Sequence, residues 1–132
     1  MGRRILVVED ERAFAEVLTE LLLEEGYSVV HVRDGITALN LLAGARSRAQ
    51  RFDLILCDVM LPGLRGERLA AEVRRRFPRQ RLPILLMSAS ADPHVNLPDV
   101  SFVSKPFDSS DLLSRIASML ASPLGSDAVA AN

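Results

Sequence analysis

The sequence contains little cysteine and no long apolar run, and each shortage excludes a class of protein. No stretch approaches the roughly 20 apolar residues of a membrane-spanning helix, and the N-terminus lacks a signal-peptide core, so we expect no membrane insertion. Cys57 is the only cysteine and cannot form an intrachain disulfide, which fits a reducing cytoplasm. The net charge is −1, so no strong overall field attracts nucleic acid or an anionic membrane.

Lysine is also scarce among the basic residues. Fifteen of the sixteen basic residues are Arg, and Lys105 is the only lysine. Lys presents a compact charge on a flexible stem, whereas Arg presents a broad planar fork. A chain so biased toward Arg that retains one Lys hints at a site that needs a small cation in a tight space.

The length and the composition are those of one globular domain. The chain has 132 residues, of which 48% are hydrophobic and 25% are charged, and this length is enough for a single core. We expect the domain to span residues 1–122. The small residues after Pro123 indicate a disordered tail or linker stub over residues 123–132.

Apolar, β-rich runs alternate with segments of helical periodicity. Strands are predicted at residues 4–8, 27–32, 54–58, 84–87 and 101–104. Helix faces are predicted from apolar residues spaced three and four apart: Phe14, Val17, Leu18, Leu21 and Leu22; Ile36, Leu39, Leu42 and Ala43; Leu69, Ala70, Val73 and Phe77; and Leu112, Leu113, Ile116 and Leu120. This alternation predicts an α/β fold with a doubly wound, five-stranded parallel sheet, flavodoxin-like in its strand order 2-1-3-4-5.

One connection departs from this alternation. Residues 89–100, between the fourth and fifth strands, contain two prolines and little periodicity. Proline removes a backbone donor and interrupts a helix. We therefore expect the helix of this connection to be shortened or missing.

Polar side chains with complementary chemistry follow the predicted strands. Glu9 and Asp10 follow the first strand, Asp58 ends the third, Ser88 follows the fourth and Lys105 follows the fifth. The carboxyl ends of adjacent parallel strands form the ligand site of such sheets. Crowded carboxylates favour an oxygen-binding cation such as Mg²⁺ or Mn²⁺, and a carboxylate can accept a phosphoryl group as a nucleophile. These residues together fit phosphoryl transfer to Asp58.

These motifs closely resemble the receiver domain of bacterial two-component response regulators, the CheY-like superfamily. The resemblance covers about residues 4–121. Its matching residues are Val7-Val8-Glu9-Asp10-Glu11, Asp58, Met60-Leu61-Pro62-Gly63, Gly66, Ser88-Ala89, Phe102 and Lys105-Pro106-Phe107. The resemblance implies that Asp58 is the phosphoacceptor and that Lys105 and Ser88 contact the phosphoryl oxygens.

The resemblance also implies a metal site and a switch. Its Mg²⁺ (or Mn²⁺) ligands would be Glu9, Asp10, Asp58 and the backbone carbonyl of Met60. Its switch would be a coupled change of Ser88 and Phe102, a shift between two populations that phosphorylation favours unequally. A Phe at position 102 has no hydroxyl, so no hydrogen bond can report the state of that ring.

The implied activity is that of a signalling switch and not of an enzyme with a separate substrate. The expected donor is a histidine kinase or a histidine phosphotransfer protein in a phosphorelay, and we expect autodephosphorylation. The output would be a changed contact with an unknown downstream protein, without direct nucleic-acid binding. Residues 89–104 are shorter than is usual in this family by about one helical turn or more, which leaves the oligomeric state open. The interval from Asp10 to Asp58 is longer than usual, with the extra residues at 46–51.

Two other function classes share part of this pattern. A haloacid dehalogenase-type phosphatase also forms an aspartyl phosphate, but it places a general acid two residues after its nucleophile, where this chain has Met60. The alternative is a constitutive, phosphorylation-independent protein-binding module with the receiver fold. We expect His31 and His94 to be structural, and the Arg residues of the third helix to form a solvated face.

Overall fold

The fold is described from a computed structural model that covers residues 2–89 and 96–121. Its elements, in chain order, are β1 (Arg4–Val8), α1 (Arg12–Glu24), β2 (Ser28–Val32), α2 (Gly35–Gly44), a 3₁₀ turn (Arg48–Gln50), β3 (Leu54–Asp58), α3 (Gly66–Arg76), β4 (Ile84–Ser88), β5 (Val100–Ser104) and α4 (Ser109–Ala121). Every predicted strand is present, and no strand end differs from its prediction by more than one residue.

The five strands form one parallel sheet in the order β2-β1-β3-β4-β5. This order confirms the predicted doubly wound α/β fold. The central strands β3 and β4 are buried along their whole length. Because helices cover both faces of the sheet, these strands are continuous apolar runs in the sequence and show no alternation of polar residues.

Successive strand residues face opposite sides of the sheet, which divides the core into two layers. In one, the α2/α3 layer, Leu6, Ile55 and Leu86 pack against the buried faces of α2 and α3. In the other, the α1/α4 layer, Leu56 and Leu85 pack against α1 and α4. The two layers lie on opposite faces of the sheet, and the parallel strands all end at the same edge, the carboxyl edge.

Three apolar residues predicted on helix faces are exposed, namely Val17, Ile36 and Ala43. Val17 on α1 is 60% exposed and Ile36 on α2 is 57% exposed. Each helical residue turns about 100° from the one before it. The buried face of α1 is centred on Ala15, Leu18 and Leu22, and Val17 lies well outside it. The apolar pattern therefore predicted a wider contact face than the sheet covers.

The basic outer side of α3 is only partly the solvated face that was predicted. Glu72 lies within 2.7 Å of Arg75 and 3.0 Å of Arg76, and both pairs link neighbouring turns of the helix. Arg74 differs, because it is half-buried and donates to the carbonyl oxygens of Pro98 and Asp99 at 2.8 and 3.1 Å. Burial lowers the pKa of Arg74 from its ordinary value.

The connection between β4 and β5 is described in part. Residues 96–99 form a loop and a turn without helix, and Asp99 has a positive φ of 61°. The predicted loss or shortening of a helix also concerns residues 90–95, which lie outside the described residues, so this part stays a prediction. His94 and the tail predicted over residues 123–132 lie outside them as well.

Adjacent residues on α1 provide a direct test of the packing. Leu18→Ala removes a side chain that is 1% exposed and should lower the free energy of unfolding by about 2–5 kcal/mol. Val17→Ala removes an exposed side chain, and the better helix propensity of Ala offsets the loss, so we expect a change within about 0.5 kcal/mol. Urea denaturation measures both values, and similar losses in the two variants would contradict the observed orientation of α1.

Candidate functional site

The ends of four strands meet at the carboxyl edge of the sheet. Glu9 follows β1, Asp58 ends β3, Ser88 ends β4 and Lys105 follows β5. The Lys105 ammonium lies 2.7 Å from Asp58 Oδ2, and the Lys105 backbone N–H donates to the Ser88 carbonyl at 2.8 Å. Asp58, Ser88 and Lys105, separated in the sequence, are thus brought together as predicted.

Asp58 is held by both of its carboxylate oxygens. Oδ2 accepts from Lys105, and Oδ1 accepts from the backbone N–H of Met60 at 2.9 Å. The residue is only 6% exposed, and the Lys105 side chain is 29% exposed. A charge-assisted bond on one oxygen and a backbone bond on the other fix the direction in which the carboxylate faces.

Glu9 is a second buried acid beside this pair. It is 1% exposed, and its Oε2 accepts from the Glu11 backbone N–H at 2.9 Å. Burial raises the pKa of Glu9 to about 7; the bond from Glu11 opposes the rise, Asp58 adds to it and Lys105 opposes it. Two carboxylates therefore compete for one ammonium.

The loop after β3 depends on glycine for its close approach to Asp58. Gly63 has a φ of +77°, which residues other than glycine rarely adopt. At Gly66, the first residue of α3, an added Cβ would lie 2.5 Å from the Asp58 carbonyl oxygen and 2.9 Å from Val59 Cα. The start of α3 is thus packed directly against the backbone that carries Asp58.

The donor set at this edge fits a hard cation. Glu9 Oε1 is buried and has no hydrogen-bond partner among the described residues, and the neighbouring oxygens belong to Asp58. Within residues 2–89 and 96–121, no group of three or more His, Cys, Asp or Glu side chains is assembled for a metal. Mg²⁺ commonly takes only one or two carboxylates and keeps several waters, so an orphaned carboxylate oxygen beside a second carboxylate suits it.

The remaining predicted site residues lie around this centre. Asp10 is half-buried immediately after Glu9, and its predicted role as a metal ligand stays a prediction. Ser88 is 4% exposed. Phe102 lies on β5, partly buried against the α2/α3 layer, and is paired with Leu86 across the sheet. Met60 is 61% exposed.

The buried Cys57 has no reactive role here. Its thiol donates to the Asp58 carbonyl oxygen at 3.2 Å. Burial, and then the charges of Asp58 and Glu9, raise the pKa of the Cys57 thiol well above its ordinary value. A protonated thiol is a poor nucleophile and a poor metal ligand.

Several contacts at the site had no signal in the sequence. His31 lies with Nε2 2.7 Å from the Glu9 carbonyl oxygen, and since a carbonyl oxygen only accepts, this nitrogen is the donor. The structural role of His31 stays a prediction. Arg65 donates to the Met60 sulfur at 3.3 Å. The ring of Phe14, interpreted from the sequence only as part of a helix face, lies 4.9 Å from the Lys105 ammonium. Only the position of Phe14 one turn after Glu9-Asp10 could have drawn attention to it.

The close approach at Gly66 leads to one prediction. Gly66→Ala should lower the free energy of unfolding by about 1–3 kcal/mol, because backbone atoms must move to admit the methyl group. Gly44→Ala is the matched control, since a Cβ there meets nothing within 4 Å and should be neutral or stabilising by up to about 1 kcal/mol. Thermal and urea denaturation measure both, and equal stabilities of the two variants would contradict the packing of α3 against Asp58.

The raised pKa of Glu9 leads to a prediction about how stability depends on pH. A carboxyl group whose pKa is higher in the folded chain contributes to stability below its unfolded pKa, and this contribution is lost as the pH rises through the folded value. Between the ordinary value of 4.5 and about 7, the wild type should lose stability relative to Glu9→Gln. The loss is at most roughly 3 kcal/mol, because one pKa unit corresponds to about 1.4 kcal/mol.

Urea denaturation in metal-free buffer at about pH 5 and about pH 8 checks this difference. Glu20→Gln, which changes an exposed acid on α1, serves as the control and should follow the wild type. If the free energies of unfolding of wild type and Glu9→Gln changed in parallel with pH, the ionised Glu9 carboxylate would not be destabilised by burial.

Known proteins resemble the chain over nearly its whole length. The uncharacterized transcriptional regulatory protein YbdJ of Bacillus subtilis (strain 168) is 33% identical in an alignment 123 residues long, which covers 90% of this chain and 51% of that protein. The chain thus spans about half the length of this curated relative. Within the described part of the chain, no helix is both long enough and apolar enough to cross a membrane.

Solved structures show the same fold. The receiver domain of sensor histidine kinase PA1611 from Pseudomonas aeruginosa PAO1, with magnesium coordinated in its active-site cleft, has a TM-score of 0.78 and 29% identity, covering 92% of this chain and 100% of that one. Response regulator TrrA from Thermotoga maritima, in complex with Mg²⁺-BeF, has a TM-score of 0.74 and 27% identity, covering 89% and 98%. A family profile described as the response regulator receiver domain matches residues 5–117. The chain belongs to the response regulator receiver domain family.

Proposed function

We propose that this chain is a phosphoacceptor switch in which Asp58 receives a phosphoryl group from a phosphohistidine. The observation that carries the proposal is the 2.7 Å contact between Lys105 and Asp58 at the carboxyl edge of the sheet. The ammonium lies where negative charge on a phosphoryl group attached to Asp58 would accumulate. Stabilising that charge is the main task of a protein in phosphoryl transfer.

The proposed transfer uses a carboxylate oxygen of Asp58 as the nucleophile. That oxygen forms a bond to phosphorus while the phosphorus–nitrogen bond of the donor phosphohistidine breaks. The imidazole nitrogen leaves with the electron pair and takes a proton from solvent. In autodephosphorylation, a water oxygen attacks the phosphorus, the bond to Asp58 breaks, the carboxylate leaves with the electron pair and inorganic phosphate is released.

Glu9, Asp10, Asp58 and the Met60 carbonyl are the proposed holders of Mg²⁺. The bound cation would neutralise charge on the carboxylates and on the phosphoryl oxygens. The unpartnered Glu9 Oε1 supports this assignment, and so does the raised pKa that burial and Asp58 give to Glu9. Solved relatives of 27–29% identity contain magnesium.

The proposed output is a population shift coupled to Ser88 and Phe102. Ser88 is buried at the end of β4, one strand from Asp58, within reach of a group attached there. Phe102 is partly buried against the α2/α3 layer, on the neighbouring strand β5, where it is paired with Leu86. A phosphoryl group that binds one arrangement of Ser88 better by a few kcal/mol would move most molecules into that arrangement.

The proposed partners are a histidine kinase or a histidine phosphotransfer protein upstream, in the cytoplasm, and a protein target downstream. A phosphorylation-independent binding module remains the alternative, because its fold would be the same. The buried acids Glu9 and Asp58 favour the switch, since burying like charges side by side destabilises a protein that makes no use of them. Met60 occupies the position at which a phosphatase of the aspartyl-phosphate type would need an acid.

Phosphorylation with acetyl phosphate and Mg²⁺ tests the proposal. Intact mass spectrometry should show the wild type gaining the mass of one phosphoryl group, because Asp58 is held in the required orientation. Asp58→Asn, and the wild type with EDTA, should show no gain. Asp111→Asn removes an exposed acid from the first turn of α4 and should gain the group as the wild type does.

The time course after removal of the small donor tests autodephosphorylation. The added mass should disappear in Mg²⁺ buffer and inorganic phosphate should appear in equal amount. A phosphorylated form that persists indefinitely would contradict that step. No mass gain with acetyl phosphate or with a panel of histidine kinases would favour the constitutive binding module.

A further inference from the structure

The Lys105 ammonium has an aromatic neighbour in addition to Asp58. Its Nζ lies 4.9 Å from the centroid of the Phe14 ring, inside the roughly 6 Å within which a cation is attracted to an aromatic face. Lys105 therefore lies between a carboxylate from β3 and a ring from the first turn of α1. Because a lysine stem has four rotatable bonds, two neighbours of this kind restrict the ammonium more than one does.

The Phe14 ring is itself supported. The ring of Phe107 lies 6.2 Å from it, centroid to centroid, with an interplanar angle of 43°, which is within the range of favourable aromatic pairs. Both rings pack partly against the α1/α4 layer. Phe14 comes from the helix that follows Glu9, and Phe107 lies two residues after Lys105, so the pair joins two of the segments that form the site.

A ring suits this position better than an acid would. Another carboxylate could also hold the ammonium, but it would repel the negatively charged phosphoryl group and add to the crowding of Glu9 and Asp58. A phenyl ring attracts the ammonium through its quadrupole and carries no net charge. It can therefore orient Lys105 without competing with the phosphoryl oxygens for charge.

We propose that Phe14, supported by Phe107, is a positioning residue that holds the Lys105 ammonium over Asp58 for phosphoryl transfer. This inference rests on the proposed function of Asp58 as the phosphoacceptor. Phe14 acts through Lys105 and does not touch the reacting atoms. Losing the ring should leave the ammonium free to adopt other positions, so that phosphorylation slows while Asp58 remains available.

The scarcity of lysine makes the contact measurable. Since Lys105 is the only lysine, selective ¹³C-lysine labelling yields the NMR signals of one side chain. In the unphosphorylated wild type, the Lys105 ε-methylene protons near the ring face should be shifted upfield by the ring current. Phe14→Leu should return them to ordinary positions. Phe14→Tyr should keep the shift, because the cavity of about 430 Å³ bounded by Phe14, Lys105 and Phe107 leaves room for a hydroxyl.

Phosphorylation rates with acetyl phosphate and Mg²⁺ provide the second measurement. Phe14→Leu should be slower than the wild type by about 2- to 30-fold, the range that corresponds to one cation–π contact. Phe14→Tyr should rescue the rate to within about twofold, because it retains the ring face. Phe77→Leu, at a half-buried ring on the α2/α3 side, is the matched control and should change neither the Lys105 signals nor the rate. Thermal denaturation confirms that each variant is folded.

The two measurements separate the possible failures. Unchanged Lys105 signals in Phe14→Leu would overturn the positioning role, and so would changed signals with an unchanged rate. A wild type that gains no phosphoryl group would overturn the proposed function of Asp58. The lysine signals would still decide whether Phe14 holds Lys105, because they are recorded without phosphoryl transfer.

Discussion

The ion pair between Lys105 and Asp58 joins the end of β5 to the end of β3, across β4. It lies beside a third charge, the buried Glu9, so one ammonium faces two carboxylates. An isolated pair of this kind would contribute little net stability, because burying its charges offsets their attraction. What the arrangement provides is a carboxylate in a fixed direction with a cation next to it.

The rest of the fold holds Glu9, Asp58 and Lys105 in place. The parallel sheet aligns the strand ends, and its two apolar layers hold the strands in register. Gly66 lets α3 begin directly against the backbone of Asp58. His31 reaches from β2 to the Glu9 carbonyl oxygen, so even an edge strand contributes to the position of the acids.

Side chains bonded to backbone groups hold two of the connections. Residues 46–51, where the sequence predicts added length before β3, include a 3₁₀ turn at Arg48–Gln50, in which the Gln50 side chain accepts from the backbone N–H groups of Arg46 and Ser47. The connection between β4 and β5, which the sequence predicts to be short, ends in a turn whose carbonyl oxygens accept hydrogen bonds from Arg74 of α3. Arg74 thus links α3 to the segment that precedes Phe102.

The sequence by itself determined the strand–helix alternation and the strand order, and it placed Glu9, Asp58, Ser88 and Lys105 at the ends of strands that lie together in the sheet. It could do so because buried parallel strands are short apolar runs, and the polar residues that end them must meet at one edge. The sequence also placed each strand end within one residue of its position in the structure.

Only the tertiary structure decided which of the candidate side chains touch. The exposure of Val17 and Ile36 depends on how much of each helix the sheet covers, which periodicity does not report. Three contacts join residues far apart in the chain: Arg74 with Pro98, His31 with Glu9, and Phe14 with Lys105. Such contacts depend on how the helices and strands are placed relative to one another, and the local pattern of residues does not predict that placement.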